Sequence, residues 1–240
     1  MEQILVLGHG GHARSLIDIL ERENKYQIAG YVINDNAIDG SMDYPIIGTD
    51  EDLEYLYQSG IRNAVLGIGY LGKSDLRERL YVKLKNIGFH MPIACDPSAI
   101  VSGHVKIEEG SFIGKGAIIN SGAIIGKMCI INSGAIIEHD CQVDDFSHIS
   151  VSSVLCGGVH IGRLSFVGAN STIIQEKTVG KNCMIGAGMI IRENVEDNCM
   201  VNIGETNKRL GGGIFDINIL FTNVFIYFPK YILRGVVRCA

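Results

Sequence analysis

The sequence predicts an α/β domain with a Rossmann-like parallel sheet, followed by an all-β, left-handed parallel β-helix. Three observations carry this reading. A glycine-rich turn joins an apolar strand to a helix at the start of the chain. Strand and helix patterns then alternate up to residue 94. Beyond that, an apolar residue recurs every sixth position through the middle of the 240 residues. The expected boundaries are 1–94 for the α/β domain, 95–210 for the β-helix and 211–240 for an apolar extension.

Gln3–Leu7 is an apolar strand. The turn Gly8-His9-Gly10-Gly11-His12-Ala13 follows, and a helical pattern runs from Ala13 to Glu23. This is the GxGxxA form of a strand–turn–helix phosphate loop, in which backbone N–H groups at the helix start face an anion. A plain connection between strand and helix is the other reading, and His9 then simply accompanies the loop. Tyr26–Ile33 is a second strand ending at Asn34-Asp35. Asp35 stands just past that strand, where a carboxylate can bind a ribose hydroxyl. Asn63–Ile68 is a further strand ending at Gly69, and Lys73–Asn86 is a helix. Alternating strands and helices imply a parallel sheet with right-handed crossovers. A dinucleotide fold needs two such halves, and only one fits before the repeat begins. The space suits one nucleotide, not NAD. Gly10, His12, Asp35 and Gly69 are the candidate substrate-binding residues.

From Val101 to Ile191, sixteen successive hexapeptide units begin with Val, Ile or Leu. The fifth position is mostly Ala, Ser, Cys or Val. Such a unit puts one branched aliphatic inward from a short strand and a small residue at a tight corner. Three units close one triangular coil, and stacked coils bury a continuous ladder. A sandwich or barrel would show alternation of period two with hairpin turns, which this segment lacks. Cys129, Cys141 and Cys183 occupy the small fifth position, where buried Cys acts as a small hydrophobe.

Composition limits the partners. With 47% hydrophobic and 20% charged residues the chain builds a packed core, which excludes global disorder. A formal net charge of −5 argues against a nucleic-acid binder, which usually shows a basic face. The start MEQILVLGHGG lacks the basic, then long apolar, pattern of a signal peptide, so a cytoplasmic protein is expected. Seven cysteines, with no CxxC and no regular Cys/His spacing, read as reduced thiols rather than disulfides or a zinc site. No metal is expected.

His139 stands at the third, outward position of its unit. Its neighbour Asp140 can hold one ring nitrogen and leave the other as a base. Glu138 is the alternative partner, and a solvated surface histidine is the bland one. Gly157 follows three units later, one full coil on at the same corner, where a backbone N–H can face an oxyanion. Gly168-Ala169-Asn170 and Gly186-Ala187-Gly188 form small, accessible stretches one coil apart. They are either ordinary turns or a track for an extended ligand. His104 and His160 carry no motif and read as surface residues.

Taken together, the GHGGHA loop, the uninterrupted hexapeptide helix and the stretch Ile137-Glu138-His139-Asp140-Cys141, continuing through Phe146-Ser147-His148-Ile149 to Gly157, resemble the sialic acid O-acetyltransferase (NeuD-like) family. The nearest-looking members are the N-acetyltransferases of nucleotide-linked 4-amino-6-deoxy sugars (PglD-like). The resemblance covers about residues 1–210. It implies an acetyl-CoA-dependent enzyme of surface polysaccharide or glycan biosynthesis, active as a homotrimer, with acetyl-CoA in a groove between subunits. It implies His139 as general base, Asp140 as its orienting acid, His148 near the acetyl thioester, and His12 and Asp35 on the nucleotide-sugar. Gly157, Ala169 and Ala187 would line the acetyl-CoA. His148 also reads as a hydrogen-bonded interface residue. An O-acetyltransferase acting on sialic acid or another sugar hydroxyl, and a non-catalytic β-helix scaffold, are the alternatives. The family's closing segment Gly-x-Pro-Ala-Lys/Arg reads here Gly204-Glu205-Thr206-Asn207-Lys208-Arg209, a departure at the lid over the pantetheine arm.

Gly211-Gly212-Gly213 reads as a linker. The tail beyond it holds six of the seventeen aromatics, with Ile217, Leu220, Phe221, Val224, Phe225 and Phe228 on one helical face. Its apolar run, Ile214 to Phe228, is short for a membrane span and contains Asp216. A helix packed on the trimer, a membrane-surface helix with Lys230, Arg234 and Arg238 at the headgroups, and a read-through extension all fit.

Overall fold

The computed structural model describes residues 1–33, 43–72 and 75–202, and the backbone of 205–209. Asp35, Gly204 and the tail 211–240 lie outside the described residues. Met1–Leu210 forms one compact unit.

The N-terminal part comprises β1 (Glu2–Leu7), α1 (Gly11–Glu23), β2 (Tyr26–Val32), β3 (Ile46–Gly48), α2 (Leu53–Gln58), β4 (Asn63–Leu66) and α3 (Leu76–Ile87). The four strands form a parallel sheet in the order β3-β2-β1-β4. Ile4 to Leu7 are buried on both faces, as expected of a central parallel strand. Helix α1 turns Leu16, Ile17, Ile19 and Leu20 inward. The short β3 and α2 were not legible as periodic segments. The helix expected from Lys73 begins at Leu76.

Two-residue strands then run from Ala94–Cys95 to Ile190–Ile191, each pairing in parallel with the strand three units away, as Ile130 does with Phe112 and His148. They form three sheets, the faces of a triangular prism. Strands such as Phe112–Ile113 and His148–Ile149 make the first face. Ile118–Ile119 and Ile136–Ile137 lie on the second, and Ile124–Ile125 and Gln142–Val143 on the third. The second residue of each strand is the aliphatic first position of a hexapeptide, and from Ile113 to Ile185 these are fully buried in one ladder. The fifth positions Ala117, Cys129, Cys141, Ser147 and Cys183 are buried beside it. Their polar atoms are satisfied: Ser147 Oγ donates to the Gly162 carbonyl (2.9 Å) and Cys141 Sγ to that of Cys156 (3.1 Å). After Ile190–Ile191 the chain adds Cys199–Asn202 to the first face, and Glu205–Arg209 pairs with it antiparallel.

The fourth hexapeptide position has positive φ at corner after corner, from Gly110 to Gly188. The unexpected feature is the column on the corner between third and first faces. There Met128, Phe146 and Leu164 take this left-handed conformation at φ 57°, 61° and 59°. A bulky residue in that region costs about 1 kcal/mol or more. The cost is offset by burial: all three pack into the core of the α/β part, with Phe112, Ile130 and Phe166 of the first face. Arg22–Asp96 (2.6 Å), Arg163–Glu78 (2.6 Å) and Lys85–Glu109 (2.9 Å) ring this seam. The α/β part therefore sits on the first face and its leading corner. The second and third faces are left uncovered by it.

Candidate active site

His139 and Asp140 occupy the corner between the second and third faces. Asp140 is the left-handed residue of that corner (φ 59°), which turns its carboxylate back alongside its neighbour. Nδ1–H of His139 donates to Asp140 Oδ2 at 2.9 Å. The ring is 65% exposed. The hydrogen bond to Asp140 raises the His139 pKa above its ordinary value, helped by the charges of Asp140 and Glu138. Of the two candidate partners, Asp140 makes the contact. Gly157 lies against the ring one coil on: a Cβ there would fall 2.5 Å from Nε2. The Gly158 N–H donates to the His139 carbonyl (2.9 Å), while the Gly157 N–H has no partner among the described residues.

His148 lies elsewhere. Of its two readings, near the acetyl thioester or as a hydrogen-bonded interface residue, this chain shows the second environment: it stands on the first face, 6% exposed, under the α/β part. Nδ1–H donates to the Tyr70 carbonyl (2.7 Å), and Nε2 accepts from Asn132 Nδ2 (3.2 Å). Its edge meets Phe166. Burial lowers its pKa to about 4, so it is a neutral seam residue. Ala169 and Ala187 sit on the third corner, between first and second faces, with Gly168 backed directly onto the Ala187 backbone. Within one chain the expected acetyl-CoA residues thus divide among a face and two corners.

The glycine loop leaves the carboxyl end of β1 as expected. Gly8 is required by geometry: φ is +94°, and a Cβ would meet Ile68 at 2.9 Å. A Cβ at Gly10 would meet nothing of the protein within 4 Å. The space beside it is open to a ligand. Helix α1 has Gly10 as N-cap, no side-chain cap and no acid in its first turn. Its first N–H groups are therefore unsatisfied from within and favour an anion. His12 packs edge-on against Phe112 at 4.8 Å. Burial, then the charges of Arg77 and His148, lower its pKa to about 3. It offers a neutral hydrogen-bonding nitrogen rather than a positive charge. Gly69 is exposed and lies opposite the His12 Cβ.

Two groups escaped the sequence reading. Tyr70 bridges the halves, its hydroxyl donating to the Leu164 carbonyl (2.7 Å). Arg77 is 3% exposed, on the inward side of α3 with Leu80 and Leu84. A charge in phase with an apolar stripe was the available signal.

Residues 3–84 match the PglD N-terminal domain, and residues 104–139 and 158–193 match the hexapeptide repeat of succinyl-transferase. PerB from Caulobacter crescentus, solved with CoA and GDP-perosamine, superposes with a TM-score of 0.77 at 30% identity, over 87% of this chain and 98% of that one. The chain belongs to the PglD-like family of hexapeptide-repeat sugar acetyltransferases. Perosamine N-acetyltransferase from the same organism gives a TM-score of 0.80 at 29% identity, over 87% and 97% of the two chains. The acetyltransferase domain of PglB from Neisseria gonorrhoeae gives 0.77 at 27%, over 88% and 100%. The bifunctional protein GlmU of Idiomarina loihiensis is 34% identical over 65 residues, a stretch that spans 14% of its length. Like the PglD-like members, this chain is an acyltransferase with both a nucleotide-type α/β part and a repeat helix.

Proposed function

We propose that this enzyme transfers the acetyl group of acetyl-CoA to the 4-amino group of a nucleotide-linked 4-amino-6-deoxy sugar, in cytoplasmic biosynthesis of a surface glycan. The observation that carries the reading is the His139–Asp140 pair, with a free Nε2 beside Gly157. The relatives solved with CoA and GDP-perosamine support both co-substrates.

The chemistry follows from the geometry. Asp140 fixes the tautomer with hydrogen on Nδ1, so Nε2 is the base. It takes a proton from the amine as nitrogen attacks the thioester carbonyl carbon. A C–N bond forms, and negative charge gathers on the carbonyl oxygen, for which the Gly157 N–H is available. Collapse breaks the C–S bond, and the CoA thiolate recovers the proton from the imidazolium.

A homotrimer completes the site. His139 stands on the corner between second and third faces, and the α/β part covers the first face. One chain alone keeps acceptor loop and base apart. The outward residues of the second face, Ile100, Ile118, Ile136, Val154, Thr172 and Ile190, form a column that is apolar at every position but Thr172, with Ile100 and Ile190 65% and 55% exposed. Packing that face around a threefold axis brings the His139 corner of one copy to the Ala169 and Ala187 corner of the next. It also brings that base toward the neighbour's α/β part, which binds the nucleotide-sugar through Gly10, His12, Asp35 and Gly69.

Steady-state assays with GDP-, UDP-, dTDP- and CMP-linked sugars, with and without a 4-amino group, test the reading. The expected result is CoA release only with an amino sugar and an N-acetyl product by mass spectrometry. Acetylation of a free sugar hydroxyl alone would replace it with an O-acetyltransferase.

A further inference from the structure

Arg77 is buried where the two halves of the chain meet, yet no carboxylate among the described residues pairs with it. Its two terminal nitrogens donate to main-chain carbonyls on opposite sides of the seam. Nη1 bonds Ile68 in the loop after β4, and Nη2 bonds Met128 on the β-helix corner (2.8 Å). Nε has no partner among the described residues. Burying an unpaired guanidinium costs several kcal/mol, a penalty that an apolar side chain would avoid. Seam stability therefore does not account for it.

The loop it grips answers the question. Ile68 is followed by Gly69, which faces His12, and by Tyr70, whose carbonyl receives the His148 Nδ1–H. A planar guanidinium holds two carbonyls at a fixed separation, which a point-charge ammonium does not. We propose that Arg77 is the positioning residue of the acceptor site, clamping the Gly69–Tyr70 loop and the facing His12 at a set height on the β-helix. The proposal rests on the acceptor reading above. Burial keeps both imidazoles neutral, and the nearby Arg77 charge adds to it. Tyr70 and Cys129 also lie near Arg77, and Arg163 lies near Tyr70.

The test uses full-length Arg77→Lys and Arg77→Met. Calorimetry of the wild-type enzyme with the GDP-, UDP-, dTDP- and CMP-sugar panel comes first. If none binds, the acceptor reading falls and takes this role with it. With a binding sugar in hand, both variants should raise its KM by about tenfold or more while the acetyl-CoA KM stays within about twofold. Ring carbon signals of His12 and His148 give the second readout. In Arg77→Met their protonation should begin at higher pH, whereas Arg77→Lys, which keeps the charge, should leave it in place. Should the Met variant fail to fold, the Lys variant decides on the two KM values. An acceptor KM within about twofold of wild type, or both KM values rising together, would overturn the proposal while leaving the acceptor reading intact.

Discussion

The imidazole of His139 lies against Gly157, so closely that a methyl group at position 157 would fall 2.5 Å from Nε2. Glycine is therefore required by the base and not by the turn. Gly157→Ala should displace the ring and lower kcat by about tenfold or more, with an unchanged melting temperature and trimer. An alanine variant of normal kcat would show that the ring leaves this position in the working enzyme.

His139→Ala should lower kcat by roughly 10²–10⁴, with acetyl-CoA affinity preserved. The base works only when neutral, so kcat should fall as pH drops through the His139 pKa, which Asp140 holds above the usual value. Asp140→Asn should lose less activity and move this acid limb to lower pH. A limb that stays in place would assign it to another group.

The glycine loop separates fold from ligand. Gly8→Ala forces a side chain into φ +94° and onto Ile68, and should cost about 1–2 kcal/mol of stability. Gly10→Val meets open space and should leave the melting temperature alone while raising the KM for the nucleotide-sugar. His12→Ala should do the same, with acetyl-CoA KM within about twofold. If Gly10→Val destabilises the protein and spares the KM, the open space beside it is no ligand site.

Face choice sets assembly. Val154→Asp on the second face should give a folded monomer of low activity, whereas Thr178→Asp on the third should stay trimeric. Light scattering and circular dichroism on both variants decide. A trimeric Val154→Asp would move the interface to another face.

The seam should be acid-sensitive. Below about pH 6.5 the unfolded chain protonates His148, while the folded seam refuses the proton down to about pH 4. Stability should therefore fall with pH across that window, by up to about 1.4 kcal/mol per pH unit from this residue. His148→Gln does not titrate and should remove this residue's share of the slope in denaturant melts, leaving that of His12. An equal slope in both proteins would place the sensitivity elsewhere.

The repeat and the first strand–turn–helix were legible because their periods are strict: one aliphatic every sixth position, and a helix with Leu16, Ile17 and Leu20 in phase. So was the His139–Asp140 contact, since neighbours on one corner need no tertiary information. What could not be read was which face each histidine occupied relative to the α/β part. His148 lies half a coil from His139, and the first face is distinguished only by what packs on it. The hint was present in Phe112, Ile130 and Phe166, and in Met128, Phe146 and Leu164 at a turn position that favours Gly, Asn or Asp. Three large apolar residues, each one coil from the next and in a conformation they disfavour, mark where another layer lands. Tyr70 and Arg77 depend on contacts across that layer and had no local signature beyond the misplaced charge.

That column of Met128, Phe146 and Leu164 also makes the β-helix a ruler. It locks the α/β half to three particular coils, and in the proposed trimer a threefold rotation carries no rise, so every copy would keep its base level with the same rung of its neighbour. Each coil adds about 4.8 Å of height, roughly the thickness of one sugar ring. His139 falls within the column's own span, between Met128 and Phe146, so a coil inserted beside it would break the column rather than slide the base along it. A coil added beyond Leu164 would leave both the column and the height of the base as they stand.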